Sequence, residues 1–238
     1  MRAIGIIAGR EFGAYLAIPM AYVVTAIFLL LGGSAFSLYL AGSGYSDTSI
    51  KGFLDAAPIL IILFASLVSM RLIAEERKLG TWELLLTAPA SDATIVLGKF
   101  LGGMALLATM LALTLLYPIM LLVFGDPDLG PIAASYLGLL LLGAAALAVG
   151  IFASSLTSNQ AVAAVMSGAI LIAFWFLGAA ANLLPAHTGA AFAQLSLSRH
   201  MADFTRGIVD SRGVVLYISV TVVFLYLAVR SVEAGRWR

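Results

Sequence analysis

Long apolar runs alternate with short polar stretches along the chain, and this pattern predicts membrane-spanning helices. Six segments approach or reach the roughly 20 apolar residues that a helix needs to cross a hydrocarbon core about 30 Å thick. Away from their margins they hold no Asp, Glu, Lys or Arg, and the stretches between them contain Gly, Pro, Asp and Ser, which interrupt helices. The predicted spans cover residues 18–40, 57–73, 101–123, 132–152, 161–184 and 214–229.

A short amphipathic helix is predicted ahead of the first span. Arg10 and Glu11 interrupt the apolar run there, which argues against a signal peptide, and Pro19 separates this helix from the first span. We expect the helix to lie at the membrane interface, with a disordered tail as the alternative. The apolar residues that recur at helical spacing are Ile4, Ile7, Phe12, Tyr15 and Leu16.

Composition supports the membrane assignment. The 238 residues are 62% hydrophobic and 11% charged, whereas a soluble domain typically carries about 25% charged residues. We therefore expect an all-α integral membrane protein that forms a single transmembrane domain over residues 1–238. A net charge of +1 without a basic cluster argues against nucleic acid as a partner, and the absence of cysteine excludes disulfides and thiolate metal sites.

The distribution of positive charge predicts the orientation. Six spans place both termini on one side, and that side carries nine Lys and Arg residues against four on the other, which favours cytoplasmic termini. Arg71, Lys99 and Arg230 lie at span ends on that side, where we expect their long side chains to reach the lipid headgroups.

The segment between spans two and three concentrates charge, with eight charged residues from Arg71 to Lys99. Gly80 suits the left-handed position that ends a helix, and Thr81 can cap a new short helix that runs to residue 88. Glu83 falls in the first turn of that helix, where the helix dipole favours a negative charge. The apolar face of this short helix consists of Trp82, Leu85 and Leu86.

The pattern alone leaves two functions open for this helix. It can lie on lipid headgroups, or its apolar residues can dock in a groove of a soluble partner. Beyond it, Ser91 can cap the next helix, with Asp92 in its first turn, which leads into span three.

A second amphipathic segment, residues 185–213, precedes span six. Its apolar residues Leu197, Met201, Phe204 and Ile208 predict a helix that lies on the outer membrane surface or caps a dimer. A metal site there is disfavoured because a single histidine with scattered aspartates lacks ligand spacing. The polar residues expected on the wet side are His200, Asp203, Arg206 and Asp210.

Two features within the spans predict local geometry. Ala146, Gly150 and Ser154 recur at four-residue intervals in span four, which lets a neighbouring helix approach closely, either within one subunit or across a subunit interface. Pro118, late in span three, leaves a backbone carbonyl free and predicts a kink.

Four segments, in this order and spacing, resemble the ABC-2 type permeases, the membrane subunits of one class of ATP-binding-cassette transporters. The resemblance covers nearly the whole chain and is closest to the branch associated with gliding motility. The segments are REFGAYLAIPMAYVV, RLIAEERKLGTWELLLTAPAS, SSLTSNQ at residues 154–160 and HMADFTRGIVDSRGVVLY at residues 200–217.

The resemblance implies six transmembrane helices of ABC-2 permease architecture in a bacterial-type plasma (inner) membrane. It implies a dimer with an identical chain or a sister permease, and two cytoplasmic ATPase subunits as partners. In such transporters the loop between spans two and three, here residues 75–90, forms a coupling helix seated in the ATPase. The coupling residues it implies here are Glu76, Arg77, Gly80, Thr81, Trp82, Glu83, Leu85 and Leu86.

The resemblance also implies that the external segment closes the outer end of the pathway. The gate candidates at this position are Phe204, Arg206, Gly207 and Asp210. We expect ATP and Mg to be bound by the partner subunit and no cofactor by this chain, because Gly98 and Lys99 lack the glycine-rich loop and hydroxyl of a phosphate-binding motif.

We expect this chain to be a non-catalytic permease subunit of an ATP-driven exporter. An intramembrane protease needs Ser and His together within the membrane, and His187 and His200 lie outside the predicted spans. A membrane scaffold for a cytoplasmic machine and an ATP-independent carrier remain as alternatives.

Overall fold

The computed structural model describes residues 2–43, 49–81, 91–125, 127–181, 183 and 185–235, and the regular elements within these ranges are all helices. We number them in chain order. They are α1 (Arg2–Ala17), α2 (Pro19–Gly42), α3 (Lys51–Ser69), α4 (Ala74–Leu79), α5 (Asp92–Thr114), α6 (Leu116–Phe124), α7 (Leu129–Leu156), α8 (Gln160–Ala181), α9 (Ala186–Gln194), α10 (Leu197–Thr205) and α11 (Ser211–Gly235).

Among the described residues, six helical segments are long and apolar enough to cross a membrane, which confirms the predicted all-α fold with six spans. Span two combines α3 with α4, and span three combines α5 with most of α6. Several helices extend past the predicted limits because they continue through polar residues such as Lys51, Asp55 and Lys99. The segments are Pro19–Gly42, Lys51–Leu79, Asp92–Val123, Leu129–Leu156, Gln160–Ala181 and Ser211–Ala234.

Span four, which is α7, is the centre of the bundle. In its most apolar 18-residue stretch, about 72% is buried inside the protein, whereas the corresponding share is 22% for span one and 17% for span five. It packs against α3, α5, α8, α10 and α11. Its alanines and glycines allow this because small side chains let several helices approach one backbone closely.

Two of the small residues of span four, Gly150 and Ser154, face span two of the same subunit. Ala146 and Ser154 are fully buried, and a Cβ atom added at Gly150 would overlap the Ser69 hydroxyl. The sequence left open whether these residues pack within one subunit or between two. The structure places them within the subunit.

Near Pro118, where the sequence predicts a kink, the helix is interrupted at Leu115, between α5 and α6. Pro118 has no N–H to donate to the Thr114 carbonyl, so the regular ladder ends there. The Thr114 hydroxyl donates to the Leu111 carbonyl at 2.7 Å and lies 2.9 Å from the Tyr136 hydroxyl, which ties the break to span four.

The ends of the bundle form two faces. One, which we call the Lys99 face, gathers Glu11 of α1, Glu76 of α4, Lys99 of α5 and Ser231 of α11, whose hydroxyl donates to the Ser155 carbonyl at 3.3 Å. The other, the Phe204 face, gathers the start of α3, the start of α7 and the helix α10.

A glycine in span four that lacks room for a side chain gives a direct test of this packing. We expect Gly150→Ala to lower stability by about 1–3 kcal/mol, because the added methyl group forces spans two and four apart. Gly168→Ala is the matched control in span five, since a Cβ there meets nothing within 4 Å.

The measurement is thermal unfolding of both variants in detergent. Gly168→Ala should match or slightly exceed the parent, because alanine favours the helix over glycine. An unchanged midpoint for Gly150→Ala would mean that spans two and four do not approach as closely as described.

Candidate functional site

We call residues 70–81, which include α4, the stem of the loop between spans two and three. The stem ends in a well-defined cap. Gly80 adopts a left-handed conformation with φ +71°, as predicted. The Gly80 N–H donates to the Arg77 carbonyl at 3.3 Å, and the Thr81 N–H donates to the Glu76 carbonyl at 3.1 Å. These two bonds are the Schellman pattern, which satisfies carbonyls that a helix end leaves free. The chain therefore leaves α4 through a defined turn at Gly80 and Thr81.

The beginning of the same stem is fastened to span four. Between α3 and α4 the chain makes a turn, and there the Ser154 hydroxyl accepts the N–H groups of Ile73 at 3.1 Å and Ala74 at 2.9 Å. The same hydroxyl donates to the Met70 carbonyl at 3.1 Å. One buried side chain thus replaces the helical bonds that the turn interrupts.

An ion cluster fastens α4 to span three. The Lys99 ammonium lies 2.8 Å from Glu76 Oε1 and 2.9 Å from Glu11 Oε1, and its side chain is only 1% exposed. Arg10 lies 3.3 Å from Glu11 Oε1 and 3.7 Å from Glu76 Oε1, so the cluster balances two positive and two negative groups. We call these four residues the Lys99 cluster.

The expectation that Lys99 reaches the lipid headgroups is therefore wrong. The helix α1 covers Lys99, because Gly98 and Gly102 let α1 pack directly on α5; a Cβ at either position would come within 2.6 Å of Ile7 or Glu11. The predicted amphipathic helix is present, but it packs against the bundle.

A hydroxyl anchors the other end of α1. Tyr15 is buried and donates to the Val68 carbonyl at 2.9 Å. Burial raises the pKa of Tyr15 well above its usual range, and Glu11 nearby adds to this effect, so the hydroxyl remains a donor. Close to it, Arg71 pairs with Glu75, four residues further along the chain, at 2.6 Å.

Of the eight sequence-predicted coupling residues, the structure describes four. Glu76 and Arg77 lie on α4, where Glu76 joins the Lys99 cluster and Arg77 is half-buried. Gly80 and Thr81 form the cap, and the Thr81 hydroxyl contacts the Glu76 carbonyl at 3.4 Å. The other four predicted residues lie outside the described part of the chain; they are Trp82, Glu83, Leu85 and Leu86.

On the Phe204 face, Phe204 itself is buried within the subunit. Its ring packs on Gly138, where a Cβ would come within 2.7 Å of it, and on Tyr217 with ring centroids 6.3 Å apart. Leu197 and Met201 are buried beside it, so α10 presents its apolar face to its own bundle. Ile208 does not continue this face as predicted, because α10 ends at Thr205, and Ile208 is 55% exposed.

The other gate candidates have distinct positions. Gly207 has φ +83° and lies against Pro131, and the Asp210 carboxylate accepts the Arg212 N–H at 2.9 Å, which caps α11. Arg206 is exposed and lines an open cavity of about 660 Å³. The charged residues that share this cavity with Arg206 are Lys51, Asp55 and Asp128.

Sequence reasoning missed the partners that hold the stem, namely Arg10, Glu11, Lys99 and Ser154. One signal could have found Lys99, since glycines at 98 and 102 mark a close helix approach and a charge between them needs a partner. Glu11, 88 residues away, shows no sequence relation to Lys99.

A comparison with protein families identifies this architecture. The family described as "ABC-2 family transporter protein" matches residues 34–196, about two thirds of the chain. The chain belongs to this family. It is therefore a multi-pass membrane component of a transporter, which agrees with the six spans. No curated protein matches the sequence.

The matched part of this ABC-2 protein contains most of the site. Glu76, Lys99 and Ser154 lie within residues 34–196, whereas α1 with Glu11 lies before them. The stem and its fastening to spans three and four thus fall in the part of the chain that defines the family.

The hydroxyl that holds the base of the stem can be removed by one substitution. We expect Ser154→Ala to cost about 1–3 kcal/mol of stability, because two buried N–H groups lose their acceptor. Hydrogen exchange of the amides of Ile73 and Ala74 should accelerate. Ser34→Ala is the control, since that exposed hydroxyl bonds only within its own helix.

In detergent, the amide hydrogen exchange of both variants is compared with that of the parent by mass spectrometry. If residues 70–74 stay equally protected in Ser154→Ala, the turn is held by some other group than this hydroxyl.

Proposed function

We propose that this chain is the pathway-forming permease subunit of an ATP-driven exporter. It works as a dimer, with an identical chain or a sister permease, and binds two separate ATPase subunits. In this proposal residues 1–238 form one transmembrane domain, residues 75–90 are the coupling loop, and residues 185–213 are an external segment that carries the gate candidates.

The observation that carries the proposal is the fastening of α4. The stem is bonded to span four through Ser154 and to span three through Lys99, at 2.8–3.1 Å in each contact. A loop that only rested on lipid would need no such bonds. A force applied to residues 82–90 from the cytoplasmic side would therefore act on spans three and four through these bonds.

This arrangement supports a mechanism of alternating access. ATP binding closes the partner ATPases, and their movement displaces the coupling loop together with α4. Because α4 is bonded to spans three and four, the displacement changes how these spans pack and switches the dimer between inward-open and outward-open states. ATP and Mg are bound by the partner, and this chain performs no chemistry.

We further propose a bacterial-type plasma (inner) membrane with both termini in the cytoplasm, supported by nine positive residues on the Lys99 side against four. The order and spacing of four segments support a place near the gliding-motility branch of the family.

The first test identifies the partner. We expect a permease tagged at its C-terminus, purified gently from its native membrane, to bring down a P-loop ATPase in stoichiometric amount. Trp82→Ala should abolish this recovery without affecting membrane insertion, because it removes the largest apolar group of the predicted coupling helix. Phe176→Ala, at an exposed apolar position of span five, is the control.

Mass spectrometry of the eluate decides the outcome. Reproducible absence of an ATPase, with the permease intact and folded, would favour an ATP-independent carrier or a scaffold. Full recovery and turnover with Trp82→Ala would instead place the docking contact outside the predicted coupling helix.

A second test fixes the orientation, and the absence of native cysteine makes it specific. We expect a cysteine at Ala202, which is exposed on α10, to react with a membrane-impermeant maleimide in intact cells. A cysteine at Gly9, which is exposed on α1, should react only after permeabilisation. The reverse labelling pattern would invert the proposed topology.

A further inference from the structure

We propose that Lys99 is a positioning residue that ties α1 to α4, so that both helices and the start of α5 move together when the coupling loop is displaced. This inference rests on the proposed function, and it assigns to Lys99 a role that the residues of the loop alone do not have. The observation behind it is one buried ammonium group shared by carboxylates from two separate elements, Glu11 of α1 and Glu76 of α4.

The first step of the argument is electrostatic. Lys99 is 1% exposed, so water cannot solvate its charge, and both of its partners bond to it at less than 3 Å. A buried charge that loses its partners is strongly unfavourable. If α4 moved alone, Glu76 would leave the cluster while Glu11 and Lys99 stayed. We infer that α1, α4 and the start of α5 move as one body.

The second step is steric. Gly98 and Gly102 bring the backbone of α5 against α1, so that a Cβ at Gly102 would meet Glu11 Cβ at 2.6 Å. This contact places the Glu11 carboxylate over Lys99. The Tyr15 hydroxyl, bonded to the Val68 carbonyl, then fixes α1 to the end of α3. α1 therefore contacts both helices that flank the coupling loop.

The third step concerns charge balance. Arg10 lies within 4 Å of both carboxylates, so the cluster carries two charges of each sign. Replacing Lys99 by a neutral residue leaves an excess negative charge between α1 and α4. The two helices then repel each other instead of being joined, while the residues of the loop itself are unchanged.

The test first uses the permease without any ATPase. Cysteines introduced at Gly9 of α1 and Lys78 of α4, both exposed, are spin-labelled in the otherwise cysteine-free chain, and the distance between them is measured in lipid vesicles. We expect one narrow distance distribution with Lys99 present and a broad or displaced one with Lys99→Met. Lys99→Arg, which keeps the charge, should restore a narrow distribution.

Two further variants keep the result decisive. Glu11→Gln removes only the α1 carboxylate and leaves the pair between Lys99 and Glu76, so it should broaden the distribution even if Lys99→Met fails to fold. Lys51→Met makes the same chemical change at an exposed residue of the Phe204 face and should have no effect. Unchanged distances in both Lys99→Met and Glu11→Gln would overturn the inference.

The second readout is ATP hydrolysis by the assembled complex in lipid nanodiscs. For Lys99→Met we expect the ATPase to remain bound and its KM for ATP to stay unchanged, while the permease-dependent part of kcat falls by about tenfold or more. Lys99→Arg should recover most of the loss. A merely structural residue would reduce complex recovery instead.

The outcomes separate the two proposals. If the parent permease recovers no ATPase, the proposed function fails, and the distance measurement alone still reports whether Lys99 joins α1 to α4. If the parent complex hydrolyses ATP normally and both cluster variants match it in kcat, the inference fails while the proposed function stands.

Discussion

The structure depends on one constraint, which is that a charge removed from water must be compensated by groups of the same protein. Lys99 sits at the start of a membrane-spanning helix and is nearly inaccessible, yet it bonds to two carboxylates at less than 3 Å. Burying an ion pair brings little net stability, since desolvation offsets much of the attraction. What the pair provides is position: Glu11 and Glu76 must meet at Lys99, and this fixes α1 and α4 relative to span three.

Packing of small residues supplies the second constraint. Span four is built largely of alanine, glycine and leucine, and it contacts most of the other spans along its length. Because Gly150 leaves no room beside Ser69, spans two and four cannot shift past each other without opening a gap or a clash. Motion in this region is thus expected as displacement of whole helices.

Much of the fold follows from the sequence because its signals are local. Apolar length gives the six spans, Pro118 gives the break in span three, and Gly80 and Ser91 give a helix end and a helix start, each decided by residues within a turn or two. The contacts of the site are not local. Glu11 and Lys99 are separated by 88 residues and Ser154 and Ile73 by 81, and no periodicity relates such positions.

The difference between local signals and long-range contacts also explains which sequence-based predictions were wrong. Lys99 fits the rule for basic residues at span ends, which assumes that lipid surrounds the side chain, but α1 occupies that space instead. Ile208 continues the spacing of α10, but the helix ends at Thr205 and Gly207 turns the chain away. A pattern along the chain identifies an amphipathic face without identifying what covers it.

Span four also relates the two faces to each other. Near one end its Ser154 hydroxyl holds the loop stem. Near the other end its Ser135 hydroxyl donates to the Pro131 carbonyl of its own helix at 2.6 Å and lies 3.3 Å from the Phe204 carbonyl of α10. Between these serines the helix is the most buried span. In the proposed mechanism this buried helix, which contacts both faces, carries a displacement at the Lys99 face to α10 at the Phe204 face. The Phe204 ring packs on Gly138 of span four, so in this mechanism a displacement of span four also displaces the ring.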